Sequence, residues 1–251
     1  MRILKALSLF VLLLVFSCGN KNTPTNVTEV STPDSTRNAP IIAHTIDLTK
    51  SRLEMFWKND SDQIIGNFSE LKNHLAQKNT ELLFAMNGGM FTKEREPLGL
   101  YIENGKTLSK LKEDTAGYGN FYMQPNGVFY ITQNNTAAVV TTQNFTHSST
   151  IKYATQSGPM LISNGKINAH FGEHSTSTHI RNGVGILPDG KVLFAISKQR
   201  LNFYSFAEYF KSQGCENALY LDGFVSRVYL PAKDIQQLDG SFGVIIGEVL
   251  P

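Results

Sequence analysis

The sequence predicts an α+β fold: a large, mostly antiparallel mixed sheet with a few helices packed against it, in a single domain. Two observations carry this reading. Four pairs, Asn104-Gly105, Asn126-Gly127, Asn164-Gly165 and Asp189-Gly190, each lie between apolar or alternating runs and favour the positive φ of a tight hairpin turn. In addition, two amphipathic segments are each followed by a short apolar strand that ends abruptly in a glycine loop.

The first amphipathic segment, Asn67 to Asn79, puts Phe68, Leu71 and Leu75 on one face, with Asn67 and Glu70 at capping-box spacing. The strand Leu82 to Met86 follows and runs into Asn87-Gly88-Gly89. Val128 to Ile131 leaves the second turn, Met160 to Ile162 enters the third, and Gly183 to Leu187 and Lys191 to Ser197 flank the fourth. Hairpins should therefore dominate the middle of the chain. A second helix is expected over Ser205 to Gln213, with Phe206, Tyr209 and Phe210 on one face, Ser205 and Glu208 as the cap pair and Gly214 as the stop. The strand Ala218 to Leu221 then ends in Asp222-Gly223.

Ahead of this region the chain reads as a targeting segment. Arg2 and Lys5 precede the apolar run Ala6 to Phe16, which is too short to span a bilayer comfortably. It ends in Val15-Phe16-Ser17-Cys18, which resembles a bacterial lipobox with Cys18 as the lipidated residue. Residues 1–17 are thus expected to be a lipoprotein signal peptide. Residues 18–40, rich in Thr, Asn, Ser and Pro, are expected to form a flexible tether. Residues 41–251 are the folded domain. The implied protein is exported, held to the membrane by its lipid and facing the periplasm of a bacterial cell envelope.

Charge supports this division. Charged residues make up 18% and the formal net charge is +2, too little for a strongly basic nucleic-acid binder. That +2 comes from Arg2 and Lys5, so removing residues 1–17 leaves a neutral chain. The two cysteines build no disulfide framework. With Cys18 lipidated, Cys215 stands alone at a helix end and is expected to be buried rather than reactive. The elbow, phosphate-loop and dinucleotide glycine motifs are missing from the sequence. This disfavours ordinary serine hydrolases, nucleotide users and dinucleotide enzymes.

Four loops can carry chemistry. Asn87-Gly88-Gly89-Met90-Phe91 follows a buried strand, and its glycines let backbone approach a ligand and offer N–H groups to an anion. Ser157-Gly158-Pro159 precedes an apolar strand. His179-Ile180-Arg181-Asn182-Gly183-Val184-Gly185 enters a hairpin, with His179, Arg181 and Gly183 on one face by alternation. Arginine there suits phosphate or carboxylate. Asp222-Gly223-Phe224-Val225-Ser226 places a carboxylate at a strand end, fit for a base, nucleophile or ligand. Glu94, Glu96, His170, Glu173 and His174 lie in polar loops, and no apolar pattern supports a rigid metal face for the last three. No cofactor or resident metal is predicted, and a divalent cation is left open because Asp222 and loop carboxylates can meet in space.

These loops, in this order, resemble the phosphodiester glycosidase family, which includes the enzyme that uncovers mannose 6-phosphate. The resemblance spans about Ile41 to Pro231. It departs at the last loop, where Phe224 and Val225 stand in place of family glycines, and at Asn182-Gly183, where Thr-Ala is common. The resemblance implies hydrolysis of a glycosyl phosphodiester (a sugar-1-phosphate linkage) from a cell-envelope glycan. It assigns Asp222, Arg181 and Asn87 as catalytic. Gly88, Gly89, His179, Ser157, Gly158, Gly223 and Ser226 bind substrate. A phosphate leaving group has a pKa of about 6 and needs less acid assistance than an ordinary glycoside. The expected partners are a glycan or sugar phosphodiester and, through the lipid, a membrane. No nucleic acid is expected, and the chain should be monomeric. The alternative is a carbohydrate-binding or envelope-assembly lipoprotein without catalysis on the same fold.

Overall fold

The computed structural model describes residues 41–250; the expected signal peptide over 1–17, Cys18 and the expected tether over 18–40 lie outside the described residues. In chain order the first strands are β1 (Ile41–Ile46), β2 (Arg52–Phe56) and β3 (Glu81–Asn87), with helix α1 (Phe68–Ala76) before β3. Then come β4 (Tyr101–Glu103), β5 (Lys106–Ser109), β6 (Gly127–Thr132), β7 (Ala137–Thr141) and β8 (Ile151–Ser157). They are followed by β9 (Met160–Ser163), β10 (Lys166–Ile167), β11 (Asn182–Ile186) and β12 (Val192–Ser197). Helix α2 (Phe203–Ser212) precedes β13 (Ala218–Tyr220), β14 (Val228–Leu230), β15 (Ile235–Gln236) and β16 (Ile245–Leu250).

The fold is sheet-rich α+β, as expected, with its strands distributed over three antiparallel sheets. Their orders are β1-β12-β11-β13-β9-β10, β15-β14-β3-β16-β2 and β5-β4-β8-β6-β7. The inner faces of all three meet in one core that includes Phe84 and Met86, Tyr101, Phe129 and Tyr153, and Val184, Phe194 and Leu219. Phe194 is the pivot, 5.1 Å from Phe84 and 5.9 Å from Phe129 by ring centroids. Each helix covers the outer face of one sheet. α1 lays Phe68, Leu71 and Leu75 on Leu82, Ile245 and Val249. α2 lays Phe206 and Phe210 on Leu161, Leu193 and Ala218, with Cys215 buried beside them as a free thiol.

Local chemistry explains most element boundaries. Asn67 caps α1, accepting from Glu70 N–H at 2.8 Å. The second helix starts earlier than expected: Asn202, not Ser205, is its cap and accepts from Ser205 N–H at 2.8 Å. Asparagine is at least as good a cap as serine, and moving the start lets Phe203 into the first turn. Asn104-Gly105 and Asn164-Gly165 form the expected positive-φ turns, at φ 50 and 77, and 50 and 72. Asp189-Gly190 turns a longer loop in which Gly190 alone has positive φ and donates to Leu187 O. Asn126-Gly127 is not a turn. Asn126 is buried and donates through its side chain to Phe121 O, while Gly127 opens β6 against Met160 Sδ, where a Cβ would lie 2.4 Å away. The β6–β7 hairpin instead turns at Asn134-Asn135, with Asn135 at φ 55.

Candidate active site

The site lies where the three sheets meet end to end. β3 ends at Asn87, β8 at Ser157, and β11 begins at Asn182. Leu221-Asp222 follows β13 directly, so four of the expected loops converge.

Hydrogen bonds fasten them together. Asn182 Nδ2 donates to Asn87 O (3.1 Å) and Asn87 Oδ1 (3.0 Å), and Asp222 N–H donates to Asn182 Oδ1 (2.9 Å). Asn87 Nδ2 donates to Asp222 O (2.8 Å), and Arg227 N–H donates to Asn87 Oδ1 (3.0 Å). Ser226 Oγ donates to the same Asp222 carbonyl (3.1 Å), and Ser157 Oγ to Leu221 O (2.5 Å). Asn87, Ser157 and Asn182 are fully buried and Ser226 nearly so. These side chains position the Asp222 loop. In their present bonds they do not present themselves to a substrate.

Asp222 differs from its neighbours. It is only half-buried, its Oδ1 accepts from Phe224 N–H at 3.2 Å, and desolvation pushes its carboxyl up to about 6 against that bond. It is the carboxyl group of the four loops, and its proton equilibrium is drawn up towards neutrality.

The glycines are set by packing. A Cβ on Gly88 would stand 2.7 Å from Val244 Cγ1, and one on Gly89 2.2 Å from Thr155 Oγ1. Gly88 N–H donates to Val244 O at 2.8 Å, so it is not free for an anion as the sequence suggested. Gly158 is closed in by Asn126 and Phe121 O. Gly223 lies against Tyr220, where a Cβ would fall 1.8 Å from the hydroxyl oxygen.

Arg181 is also placed differently from an open clamp. It is fully buried. Its N–H donates to Ser197 Oγ, Nε to Leu201 O (2.8 Å) and Nη2 to Ser177 O (2.9 Å). The guanidinium carbon is 3.6 Å from the Phe203 ring centroid and 5.6 Å from that of Tyr220. Nη1 alone is buried without a hydrogen-bond partner. Tyr220 rises to about 12 through burial, and the adjacent Arg181 cation tempers that rise. His179 is exposed, and burial together with Arg181 and Arg200 lowers its pKa. Because β11 begins only at Asn182, the expected alternation does not run through His179, which faces water while Arg181 is enclosed.

The sequence reading missed Asn182, Tyr220, Ser197 and Phe203. Asn182 carried a signal: a polar residue opening an apolar strand needs a buried partner. Glu94, Glu96, His170, Glu173 and His174 remain on exposed loop positions. Among the described residues no group of three or more His, Cys, Asp or Glu is arranged to hold a metal.

A sheet-rich α+β fold with a desolvated aspartate at a glycine loop, backed by buried amides, defines a class, and the sequence comparison names it. Residues 80–240 match the model of the phosphodiester glycosidase family, and the chain belongs to that family. It is 40% identical over 191 residues to the uncharacterized protein YigE of Escherichia coli (strain K12), covering 75% of this chain and 73% of that one. Two solved structures share the fold. One is the catalytic domain of zebrafish N-acetylglucosamine-1-phosphodiester alpha-N-acetylglucosaminidase, auto-inhibited by its pro-peptide (TM-score 0.57, 16% identity, 82% of this chain and 81% of that one). The other is a Burkholderia pseudomallei protein described as exported (TM-score 0.55, 12% identity, 84% and 74%).

Proposed function

We propose that the protein hydrolyses a glycosyl phosphodiester, with Asp222 as the reacting carboxylate. The observation that carries this is the placement of Asp222: a desolvated carboxyl near 6, at the junction of three sheets, on a loop held by Asn87, Ser157, Asn182 and Ser226. Expulsion of a phosphate monoester from the anomeric carbon needs little proton donation, because the leaving group's second pKa is about 6. One ionised carboxylate can then act as base or nucleophile, or stabilise the oxocarbenium-like centre. Arg181 is enclosed beneath Phe203 and Tyr220, so its part is to carry positive charge beside the Asp222 loop, and the exposed His179 two residues before it is the side chain left to meet the phosphate. With the lipobox-like segment ending at Cys18, the substrate belongs to the cell envelope and the enzyme is a lipid-anchored, periplasm-facing monomer.

The test is turnover of sugar-1-phosphate methyl diesters. Asp222→Asn should lower kcat by about a thousandfold or more. In the wild type kcat/KM should rise with pH to a plateau above about 6, as Asp222 ionises. Unchanged turnover in Asp222→Asn would remove the assignment. The second reading, a glycan-binding protein without hydrolysis, rests on the bulky Phe224-Val225 pair, and binding with no product after prolonged incubation would favour it. An assembly role needs a broad apolar patch. The exposed large apolar side chains among the described residues are Leu108, Tyr118, Phe224 and Leu250, on four separate segments.

A further inference from the structure

The loop that carries Asp222 also holds a side chain that the fold does not use. Phe224 is 95% exposed. A large apolar ring standing in water contributes nothing to the core, and the backbone on both sides of this one is held in place. Its own N–H is engaged by Asp222 Oδ1. The Asp222 carbonyl is held from both sides by Asn87 Nδ2 and Ser226 Oγ. Gly223 before it is pressed against the Tyr220 hydroxyl, and Val225 after it packs towards the α1 core. The backbone is held at these points and the ring is left in water, two residues along the chain from the reacting carboxylate.

The spacing sets the scale. Two residues of chain reach at most about 7 Å, so a sugar ring seated at the Asp222 carboxylate lies within reach of the Phe224 side chain. Sugars present C–H faces that stack on aromatic rings. Phenylalanine has no polar tip, so what it recognises is the apolar face alone.

We propose that Phe224 is the specificity-determining residue of this site: a platform for the C–H face of the pyranose whose anomeric phosphodiester lies at Asp222. This rests on the glycosyl phosphodiester reading and adds to it. A pyranose with an uninterrupted C–H face is preferred over an epimer whose axial hydroxyl breaks that face.

The experiment uses the full chain and the methyl diesters of the 1-phosphates of glucose, galactose, mannose and N-acetylglucosamine. Phe224→Ala should raise KM about tenfold for the preferred sugar, the worth of one stacking contact, and lower kcat far less. It should also flatten the ranking among the four, and Phe224→Trp should restore both. The corresponding 1-phosphates titrated into Asp222→Asn, with and without Phe224→Ala, should show the same factor in Kd with no turnover involved. Equal binding and an unchanged ranking in Phe224→Ala overturn the platform and leave the hydrolase reading standing, as does a loss confined to kcat. If the wild type neither hydrolyses nor binds any of the four, the glycosyl phosphodiester reading falls and the platform with it.

Discussion

The molecule contains two copies of one local plan, helix then strand then glycine loop, and they end side by side doing different work. The first, α1–β3–Asn87-Gly88-Gly89, belongs to the second sheet; the other, α2–β13–Asp222-Gly223, belongs to the first. In the first loop everything is enclosed: Asn87 is buried with its amide bonded through both Oδ1 and Nδ2, and both glycines are walled in by Val244 and Thr155. In the second the carboxylate is half-open and the next side chain but one stands in water. The first loop is a brace and the second is the part that is braced. Buried polar groups with every bond made give rigidity, whereas a carboxylate kept partly desolvated is destabilising and is retained for chemistry.

The sharpest way to break this distinction is to compare stability in the two loops. Asn87→Ala takes an acceptor from the buried Asn182 Nδ2 and the half-buried Arg227 N–H and leaves a void, and should cost about 2–4 kcal/mol. Asp222→Asn should do the reverse at neutral pH. The folded carboxyl titrates near 6, above its unfolded value, so the folded state binds the extra proton between about pH 4 and 6 and stability falls as pH rises through that window. Asparagine removes that loss while keeping an Oδ1 acceptor for Phe224 N–H, so the variant should gain about 1–2 kcal/mol at pH 7 after allowing for solvent screening. Below pH 4 the gain should vanish. Urea midpoints at pH 7 and at pH 3.5 measure both effects, and a destabilised Asp222→Asn at pH 7 would mean that the carboxylate is a brace as well.

Much of this architecture is legible in the sequence, because it depends on short-range signals. The two helices, the Asn104 and Asn164 turns and the strand alternation follow from neighbours a few residues apart. Asn126-Gly127 misleads because Asn126 is engaged by Phe121 O rather than by a turn. The identities of the site residues are legible too, but not their orientation. Asn87, Ser157, Ser226 and Arg181 look like groups that face a ligand, yet each is enclosed by bonds to backbone far away in the chain or across a loop. Asn87 reaches Asp222 over 135 positions and Ser157 reaches Leu221 over 64. No local pattern reports which polar residue is capped by a distant carbonyl. Only the meeting of three sheets decides it.

A smaller effect separates the glycines. Gly88→Ala meets a core side chain, Val244, and should cost about 1–3 kcal/mol of stability by overpacking. Gly223→Ala meets the Tyr220 hydroxyl and Ile180 O, so its strain falls on the Asp222 loop and should appear first in kcat. Tyr220→Phe removes the hydroxyl and should recover part of the Gly223→Ala defect but none of the Gly88→Ala defect. Strict additivity of Tyr220→Phe with Gly223→Ala would show that the hydroxyl is not what the loop rests on.

The helix caps give the finest comparison. Asn67→Ala and Asn202→Ala each lose a bond to an orphan N–H at a helix start, worth about 1 kcal/mol of stability. Only Asn202 does more. Its Nδ2 also donates to Glu173 O (2.9 Å) and Ser175 O (3.2 Å), tying down the segment whose Ser177 carbonyl accepts from Arg181. Asn67→Ala should therefore shift the unfolding midpoint and leave turnover alone, whereas Asn202→Ala should shift the midpoint and also raise KM about twofold to threefold, as a partly loosened positioning contact would. Asn202→Asp separates the two roles, since it keeps the acceptor that caps α2 and loses the donors that hold the arm. It should recover the part of the stability that the cap supplies and keep the raised KM. If Asn202→Asp recovers both, the arm holds its place without help from the cap, and the second plan differs from the first only in its loop.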